Sequence, residues 1–235
     1  MIKQAMILAA GLGTRMKELT QSIPKPMLVV DGMSLIERHL HYFFKNNIHK
    51  VVINTYYKAE IFEEFIRSLP IFAKLEILFS REGELLGTAG GVKNALSLLK
   101  KDPFFIVNSD AMFVDKDLSN PSFAQLESAW NPNIMPMLML LAKKEKAFGY
   151  WGAGDFDQNE FGQLDQNNAV RSFINPGMYL TDYRLFSDYP DKILQFYPRV
   201  MQDLMAANKL YGQLYDGDWV HIGDAEAYYQ YKDLK

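Results

Sequence analysis

The stretch MILAAGLGTRMKELTQSIPKPM, residues 6–27, leads from an apolar run through a glycine-rich turn to a lysine between two prolines. Its apolar start predicts a buried strand. GLGTRM resembles the glycine fingerprint of dinucleotide-binding enzymes, which requires glycine at its first, third and sixth positions. Gly11 and Gly13 satisfy the first two, but Met16 takes the sixth. Asp31 has the spacing of the acidic residue that binds the ribose, yet it lies in a turn before a helix, so a hydride-transfer enzyme is disfavoured.

The same turn suits the binding of phosphate. Gly11 and Gly13 let the backbone approach a polyphosphate closely and present N–H groups to it. Arg15 adds a guanidinium group whose geometry matches phosphate oxygens. Prolines stiffen the backbone on both sides of Lys25, and Pro26 favours an extended conformation at the lysine. A rigid surface turn with a solvated lysine is the alternative, but the position behind a glycine-rich strand exit favours a phosphate-binding cation.

The composition narrows the classes of protein to consider. Hydrophobic residues make up 49% of the chain, enough for a sizeable core. The net charge of -3 argues against nucleic acid or an acidic membrane as the main partner. The absence of cysteine excludes disulfides, thiolate metal sites and a cysteine nucleophile. No apolar run approaches the roughly 20 residues of a membrane span, and none resembles a signal peptide, so we expect a cytoplasmic protein.

Short apolar runs alternate with helix-length amphipathic stretches through the first half of the chain. Ser34 and Glu37 are spaced as a capping box at the start of one such helix. This alternation predicts an α/β fold, a three-layer α/β/α sandwich with a mostly parallel mixed sheet. Ligands of such sheets bind beyond the carboxyl ends of the strands, which here are residues 9–25, 80–91 and 108–110. Polar, glycine-rich sequence in the second half predicts short antiparallel strands.

Several motifs are similar to those of the sugar-1-phosphate nucleotidyltransferases, also called nucleotide-sugar pyrophosphorylases. LAAGLGTRM followed by PKPM resembles the signature of this family. EGELLGTAGGVKNAL resembles its base-binding segment, VNSD its metal-binding strand end, NPGMYL its sugar-side strand, and DWVHIGDAEAY its closing motif. Within the family, the short chain and the stretches EGELLGTAGG, NSD, GYWGAGDF and WVHIG are most similar to the N-acetylmuramate α-1-phosphate uridylyltransferases of peptidoglycan recycling.

The resemblance implies a Rossmann-like nucleotidyltransferase fold with a small antiparallel sugar-side subregion. We expect one domain, residues 1–235, with a nucleotide-binding half, 1–115, and a sugar-binding half, 116–235. The implied reaction joins an NTP, with UTP favoured, to a sugar 1-phosphate and releases pyrophosphate. Because a phosphate oxygen attacks the α-phosphorus in line, catalysis requires positioning and charge neutralisation without a covalent intermediate. Mg²⁺, or alternatively Mn²⁺, is the implied cofactor, and the sequence leaves the oligomeric state open.

The resemblance also implies roles for individual residues. The implied catalytic residues are Arg15, Lys25 and Asp110. The implied nucleotide-binding residues are Ala9, Ala10, Gly11, Gly13, Thr14, Glu84, Gly87 and Thr88. The implied sugar-binding residues are Asn108, Asp155, Asn175 and Gly177. Each has a structural alternative: Asp110 as a cap or turn former, Thr88 as a helix N-cap, and the sugar-side residues as turn formers.

The closing motif departs from the family at one position. WVHIGD places His221 where the family has an aspartate that serves as a second metal ligand. Imidazole is a poor ligand for Mg²⁺ and a better one for transition metals. Three roles follow for this position. His221 helps to bind another metal such as Mn²⁺, or it contacts a phosphate directly, or Asp218 or Asp224 replaces it as the second metal ligand. A hydrogen-bonded strand residue without a role in the reaction is the remaining interpretation.

Two other functions are kept as alternatives. One changes only the substrate, to a guanylyl- or cytidylyltransferase for mannose, heptose or choline phosphate. The other is a non-catalytic sensor that binds nucleotide-sugars, an idea motivated by the histidine in the closing motif. Against the sensor, Arg15, Lys25 and Asp110 are all present.

Overall fold

The main sheet is built around the strand that precedes the glycine turn. The computed structural model describes residues 1–234. The strands are β1 Gln4–Leu8, β2 Val29–Val30, β3 Met33–Ser34, β4 Lys50–Thr55, β5 Glu76–Arg81, β6 Phe104–Asn108, β7 Ala111–Val114, β8 Met137–Lys143, β9 Ala147–Phe148, β10 Asp157–Gln158, β11 Leu164–Asp165, β12 Phe173–Ile174, β13 Met178–Thr181, β14 Leu210–Leu214 and β15 Asp218–His221.

The order of the main sheet is β12-β8-β13-β6-β1-β4-β5, with β14 beside β8. Strand β1 is parallel to both β4 and β6, and β4 is parallel to β5. Strand β13 runs antiparallel to β6 and β8, so strands from the second half of the chain continue the sheet. The predicted mixed sheet is confirmed: the first half of the chain forms the parallel strands β1, β4, β5 and β6, and the second half adds antiparallel pairs and one parallel pair, β8 with β14.

Helices cover both faces of this sheet. They are α1 Leu35–Lys45, α2 Ala59–Ser68, α3 Thr88–Ala95, α4 Ser122–Ala129, α5 Arg184–Ser187, α6 Met201–Ala206 and α7 Ala225–Asp233. Successive residues of β1 point to opposite layers. Ile7 packs into a core shared with α1, α2 and α4, whereas Met6 packs into a core shared with α3, α5 and α6. The three-layer architecture is therefore confirmed.

Local signals place some helix ends well and others poorly. The Ser34 hydroxyl accepts a hydrogen bond from the Glu37 backbone N–H at 3.2 Å, as the capping box predicts. The stretch TAGGVKNALSLLK, residues 88–100, has the pattern of one helix, but α3 ends at Ala95. The stretch PRVMQDLMAANK, residues 198–209, also has a helical pattern, and there the structure has a π-helical turn, Phe196–Val200, followed by α6. These ends depend on packing, which local sequence does not specify.

Smaller sheets complete the sugar-side subregion. Strands β10 and β11 form an antiparallel pair, and β15 lies between β7 and β9. The pairing of β15 with β7 places His221 opposite Ala111, the residue after Asp110. The closing motif thus reaches the end of the central parallel strands. Among residues 1–234, no helix has both the length and the apolar composition needed to cross a membrane.

The buried face of α1 includes one histidine. His39 is 4% exposed, and its Nε2 atom has no hydrogen-bond partner among residues 1–234. Burial lowers the pKa of His39 to about 4, although the negative charge of Asp110 acts in the opposite direction. The folded protein therefore holds this imidazole neutral at pH values where the unfolded chain binds a proton.

We expect His39 to make the protein less stable in mild acid. With a folded pKa of about 4 and an unfolded pKa of about 6.5, the unfolded chain binds more protons between these values, so stability falls as pH falls. Between pH 7 and pH 5 the loss from this residue is about 2 kcal/mol. Urea unfolding at both pH values checks it: His39→Asn should remove most of the difference, and His49→Asn, at an exposed histidine, should not. An unchanged difference in the first variant would contradict the assignment.

Candidate active site

A cavity of about 470 Å³ opens at the carboxyl ends of four neighbouring parallel strands, β1, β4, β5 and β6. This is the edge at which ligands of such sheets bind. The wall is formed by Leu8, Ala9, Ala10, Gly11, Gly13, Thr14, Arg15, Lys25, Pro26, Asn54, Glu82, Leu85, Gly87, Thr88, Asn108, Ser109, Asp110, Gln195 and Gly223. The three segments selected from the sequence thus share one cavity.

The glycine turn contributes unpaired backbone donors to this cavity. The N–H groups of residues 10–13 donate to no residue within 1–234. Gly13 has φ +66°, and a Cβ there would lie 3.3 Å from the side chains of Lys25 and Thr20. The Arg15 guanidinium makes no hydrogen bond or ion pair with the described part of the chain. Free N–H groups and a free guanidinium are what a polyphosphate requires.

Ala9 differs from its neighbours in the turn. Its N–H donates to the Asn54 side-chain oxygen at 2.7 Å, so it is not available to a nucleotide. The Asn54 amide in turn donates to the Glu82 carboxylate at 2.7 Å, and the Leu86 N–H donates to the other Glu82 oxygen at 3.2 Å. Burial raises the pKa of Glu82, and these two donors partly offset the shift. This chain of hydrogen bonds fixes the glycine turn to the segment after β5.

Lys25 and Asp110 form an ion pair in the cavity wall. The Lys25 ammonium is 2.7 Å from the Asp110 Oδ2 atom and donates a second hydrogen bond to the Gly223 carbonyl at 2.9 Å. Burial alone would raise the pKa of Asp110, but the charges of Lys25 and His221 outweigh it and hold that pKa well below its usual range. An ammonium group has three donors, so one remains for a ligand.

The backbone at Lys25 is not extended. This differs from the extended conformation predicted from the proline that follows it. Residues Lys25–Met27 form a turn of 3₁₀ helix, preceded by Pro24 with φ -61° and ψ 147°. Proline is tolerated in a first helical turn because its missing N–H has no partner there. The rigidity inferred from the two prolines remains, and the lysine side chain is buried rather than solvated.

His221 contacts the same carboxylate. Its Nε2 atom lies 3.4 Å from Asp110 Oδ2, and its Nδ1 atom lies 3.3 Å from the Gly149 carbonyl. The ring stacks on Trp219 with an interplanar angle of 11°. His221 is thus placed beside the predicted metal-binding carboxylate, although it does not line the cavity.

The residues near Asp110 fit a metal held mainly by substrate. No group of three His, Asp or Glu side chains within residues 1–234 is arranged to hold a cation. Asp218 pairs with Lys116 at 3.4 Å, and Asp224 caps α7 by accepting the Ala227 N–H at 2.9 Å, so neither of these alternatives joins Asp110. Asp110 Oδ1 accepts no hydrogen bond from the described residues. One free carboxylate oxygen suits Mg²⁺, which takes one or two carboxylates together with phosphates and water.

The predicted base-binding segment is divided between cavity and surface. Gly87 and Thr88 line the cavity, but Glu84 does not, because it forms an exposed ion pair with Lys192 at 2.6 Å. Thr88 is the first residue of α3 rather than its N-cap, since Gly87 occupies that position with φ +77°. The Thr88 hydroxyl instead accepts the Phe196 N–H at 2.9 Å.

The predicted sugar-side residues lie together, but only Asn108 lines the cavity. The Asn108 side-chain amide makes no hydrogen bond within residues 1–234, so it is free for a ligand. Asp155 accepts hydrogen bonds from the Tyr150 hydroxyl at 2.9 Å and the Asn175 N–H at 2.8 Å. The Gly177 carbonyl accepts the Asn108 N–H at 2.8 Å.

Asn175 and Gly177 thus form a turn beneath Asn108. The Asn175 side-chain oxygen accepts the Gly177 N–H at 3.0 Å. A Cβ at Gly177 would lie 2.4 Å from the Asn108 amide, and its φ is +80°, so the position requires glycine. In this arrangement Asp155, Asn175 and Gly177 support the cavity wall from behind, which corresponds to the turn-forming alternative.

Four polar residues of the cavity wall have no predicted role: Asn54, Glu82, Ser109 and Gln195. Asn54 and Glu82 lie at or just after the ends of β4 and β5, so the strand-end rule that selected Asp110 could have found them. Gln195 belongs to a segment more than 100 residues beyond the rest of the base-side wall. No local sequence signal indicates that it reaches the cavity.

Comparison with known proteins agrees with this geometry. A family model described as Nucleotidyl transferase matches residues 4–234. The chain belongs to this family. The prediction of a sugar-1-phosphate nucleotidyltransferase is confirmed, and so is the prediction that the protein is an enzyme.

Two relatives of this nucleotidyltransferase differ in the base that their names specify. The N-acetylmuramate alpha-1-phosphate uridylyltransferase of Caulobacter vibrioides is 29% identical over 229 residues, 96% of this chain and 93% of the relative. The D-glycero-alpha-D-manno-heptose 1-phosphate guanylyltransferase of Campylobacter jejuni is 29% identical over 238 residues, 97% of this chain and 98% of the relative. Among solved structures, HddC from Yersinia pseudotuberculosis has a TM-score of 0.79 at 21% identity and full coverage of both chains, which shows the shared fold.

We expect Gly91→Ala to disrupt the cavity of this nucleotidyltransferase. A Cβ at residue 91 would lie 2.6 Å from the Asn54 amide and 2.7 Å from the Glu82 carboxylate, so the hydrogen-bond chain behind Ala9 must shift. Unpaired buried groups cost about 1–3 kcal/mol each. Urea unfolding should report a loss of that size, and nucleotide affinity should fall at least tenfold. Gly83→Ala, where a Cβ meets nothing within 4 Å, is the control; equal behaviour of the two variants would contradict the proposed role.

Proposed function

We propose that this nucleotidyltransferase joins UTP to N-acetylmuramate 1-phosphate, giving the UDP-sugar and pyrophosphate. The single observation that carries the reaction is the contact of 2.7 Å between the Lys25 ammonium and the Asp110 carboxylate, inside a cavity walled by the free N–H groups of residues 10–13. The preference for UTP and this sugar is supported by the similarity to the Caulobacter vibrioides uridylyltransferase over 96% of the chain. It is also supported by the stretches GYWGAGDF and WVHIG.

The chain supplies positioning and positive charge. The triphosphate lies on the N–H groups of the glycine turn, with Arg15 on the β- and γ-phosphates. Lys25 directs its remaining N–H donor to the reacting phosphates, where negative charge shifts to the leaving group. Both cations lie in the same cavity, and Lys25 is held by Asp110 and Gly223 before any substrate binds. A preordered cation requires little reorganisation during the reaction.

The reaction exchanges one phosphoanhydride bond for another. An oxygen of the sugar 1-phosphate attacks the α-phosphorus, and the bond from that phosphorus to the bridging oxygen of the β-phosphate breaks. The leaving pyrophosphate takes the electron pair. The attacking phosphate is already anionic at neutral pH, so no general base is needed. The cavity accordingly contains no serine or histidine arranged for nucleophilic catalysis within its described wall.

The free Oδ1 atom of Asp110 would hold Mg²⁺ together with phosphate oxygens of the substrates. When bound, the metal would neutralise charge on the two reacting anions. The His221 Nε2 atom lies 3.4 Å from the other carboxylate oxygen. With a proton on this nitrogen it orients Asp110 by hydrogen bonding, and without one it would supply a ligand that suits Mn²⁺. Strands from both halves of the chain share one sheet, which supports a single domain of 235 residues.

Guanylyl transfer to a heptose 1-phosphate is the second candidate. The similarity to the Campylobacter jejuni guanylyltransferase, 29% over 97% of this chain, favours it as a specific observation. The non-catalytic sensor that the sequence left open is not supported, because the chain belongs to the nucleotidyltransferase family and a pure binder has no need for the Lys25–Asp110 pair. The uridylyl- and guanylyltransferase candidates use the same cavity and differ in the nucleotide and the sugar phosphate that it binds.

A pyrophosphate-release assay separates these candidates. The four nucleoside triphosphates are combined with N-acetylmuramate, glucose, mannose and heptose 1-phosphates, with Mg²⁺ or Mn²⁺ and with a chelator as control. We expect turnover with UTP and N-acetylmuramate 1-phosphate that the chelator abolishes. Release of pyrophosphate only with GTP and heptose 1-phosphate would contradict this substrate pair and support the guanylyltransferase. Binding of nucleotide without any turnover would favour the sensor.

We expect Lys25→Met to lower kcat by at least about 100-fold, the effect of removing one charge-stabilising donor. The variant also leaves the partly buried Asp110 carboxylate with only His221 beside it, which costs up to about 3–5 kcal/mol of folding stability. The double variant Lys25→Met/Asp110→Asn should recover most of that stability and stay inactive. Lys45→Met, at an exposed lysine on α1, is the matched control. Full turnover by the folded double variant would refute the catalytic roles of both residues.

A further inference from the structure

A segment from the second half of the chain, residues 192–196, forms part of the cavity wall beside the predicted base-binding segment. It runs along residues 84–90. The Leu194 N–H donates to the Leu86 carbonyl at 2.9 Å, and the Leu194 carbonyl accepts the Gly90 N–H at 2.8 Å. Two further contacts flank these backbone hydrogen bonds. On one side Lys192 forms an ion pair with Glu84, and on the other the Phe196 N–H donates to the Thr88 hydroxyl. The backbone of residues 192–196 is thereby fixed against residues 84–90.

Gln195 lies at the point where this segment reaches the cavity. Its Oε1 atom accepts hydrogen bonds from the Thr88 backbone N–H at 3.2 Å and from the Thr88 hydroxyl at 3.3 Å. A backbone N–H can only donate, so the Thr88 N–H requires an acceptor in Gln195, and the Thr88 hydroxyl, which accepts the Phe196 N–H, donates its own proton to the same oxygen. This network fixes which end of the Gln195 amide is oxygen.

The other end of the Gln195 amide is free. Its Nε2 atom donates to no residue within 1–234, and it lies 2.7 Å from the position that a Cβ on Gly87 would occupy. A side chain at residue 87 would therefore displace the amide, and its φ of +77° also favours glycine. The missing side chain leaves the Gln195 donor next to open cavity beside Thr88.

We propose that Gln195 selects the base of the nucleotide by donating from Nε2 to a carbonyl oxygen on the base edge. This inference rests on the proposed function, because it concerns the nucleotide in the same cavity. Uracil and guanine carry an oxygen at the exocyclic position where cytosine and adenine carry an amino group. The amide cannot turn to accept from an amino group without leaving the Thr88 N–H unpaired. Gln195 thus favours UTP over CTP and GTP over ATP.

The test compares nucleotides that differ in this one group. Values of kcat/KM from pyrophosphate release give two ratios, UTP to CTP and GTP to ATP. We expect the wild-type enzyme to favour the carbonyl-bearing member of the pair that it uses. Gln195→Glu keeps an oxygen for Thr88 and replaces the free donor by an acceptor, so the ratio should fall at least tenfold. The added negative charge repels all triphosphates alike and cancels in the ratio.

Gln202→Glu, the same change at an exposed residue of α6, is the control and should leave the ratio as in the wild type. Turnover of CTP by the wild type as efficient as that of UTP, or a ratio unchanged in Gln195→Glu, would overturn this inference while the nucleotidyltransferase reaction stood. If no combination released pyrophosphate, the proposed function would fail instead. In that case, calorimetry would measure the affinities of the wild type and of Gln195→Glu for UDP and CDP. A UDP preference that falls at least tenfold in the variant would support the role of Gln195, and an unchanged preference would overturn it.

Discussion

The arrangement of the cavity depends on one buried ion pair, that between Lys25 and Asp110. Its two charges come from the segment after the glycine turn and from the end of β6, and the Gly223 carbonyl that accepts the lysine's second hydrogen bond follows β15. Removing two charges from water is costly unless they pair closely and their remaining hydrogen-bonding groups are satisfied. Three distant parts of the chain must therefore meet at this point, and the closing motif is needed to bring the third.

The same requirement gives a structural reason for His221. Strand β15 must lie beside β7 for Gly223 to reach the lysine, and this pairing places the imidazole opposite the residue after Asp110. A Cβ at Gly223 would lie 2.4 Å from the imidazole ring, so glycine at this position lets chain and ring approach closely. His221 is thus both a neighbour of the carboxylate and part of the packing that positions the Gly223 carbonyl.

The sequence specifies the sheet and the phosphate-binding side of the cavity more fully than the rest. The alternation of apolar strands with amphipathic helices and the glycine at a strand exit depend on local physical preferences. These signals therefore predict the parallel strands β1, β4 and β6 correctly. The strand-end rule also brings Lys25 and Asp110 into one site. Glu84 lies outside because a partner more than 100 residues away, Lys192, holds it at the surface. Such pairings come from tertiary packing. The polar, glycine-rich composition near Asp155 predicts short antiparallel strands, but it has no periodicity from which to predict their bounds.

The attachment of residues 192–196 to residues 84–90 has a consequence for how specificity is inherited. Residues 192–196 contribute to the cavity wall from the half of the chain proposed to bind the sugar, and backbone hydrogen bonds join them to residues 84–90 in the other half. The two halves are therefore not independent modules. A chimera that takes its second half from a relative would also take the relative's version of residues 192–196. Its selectivity for the nucleotide and for the sugar phosphate would therefore change together.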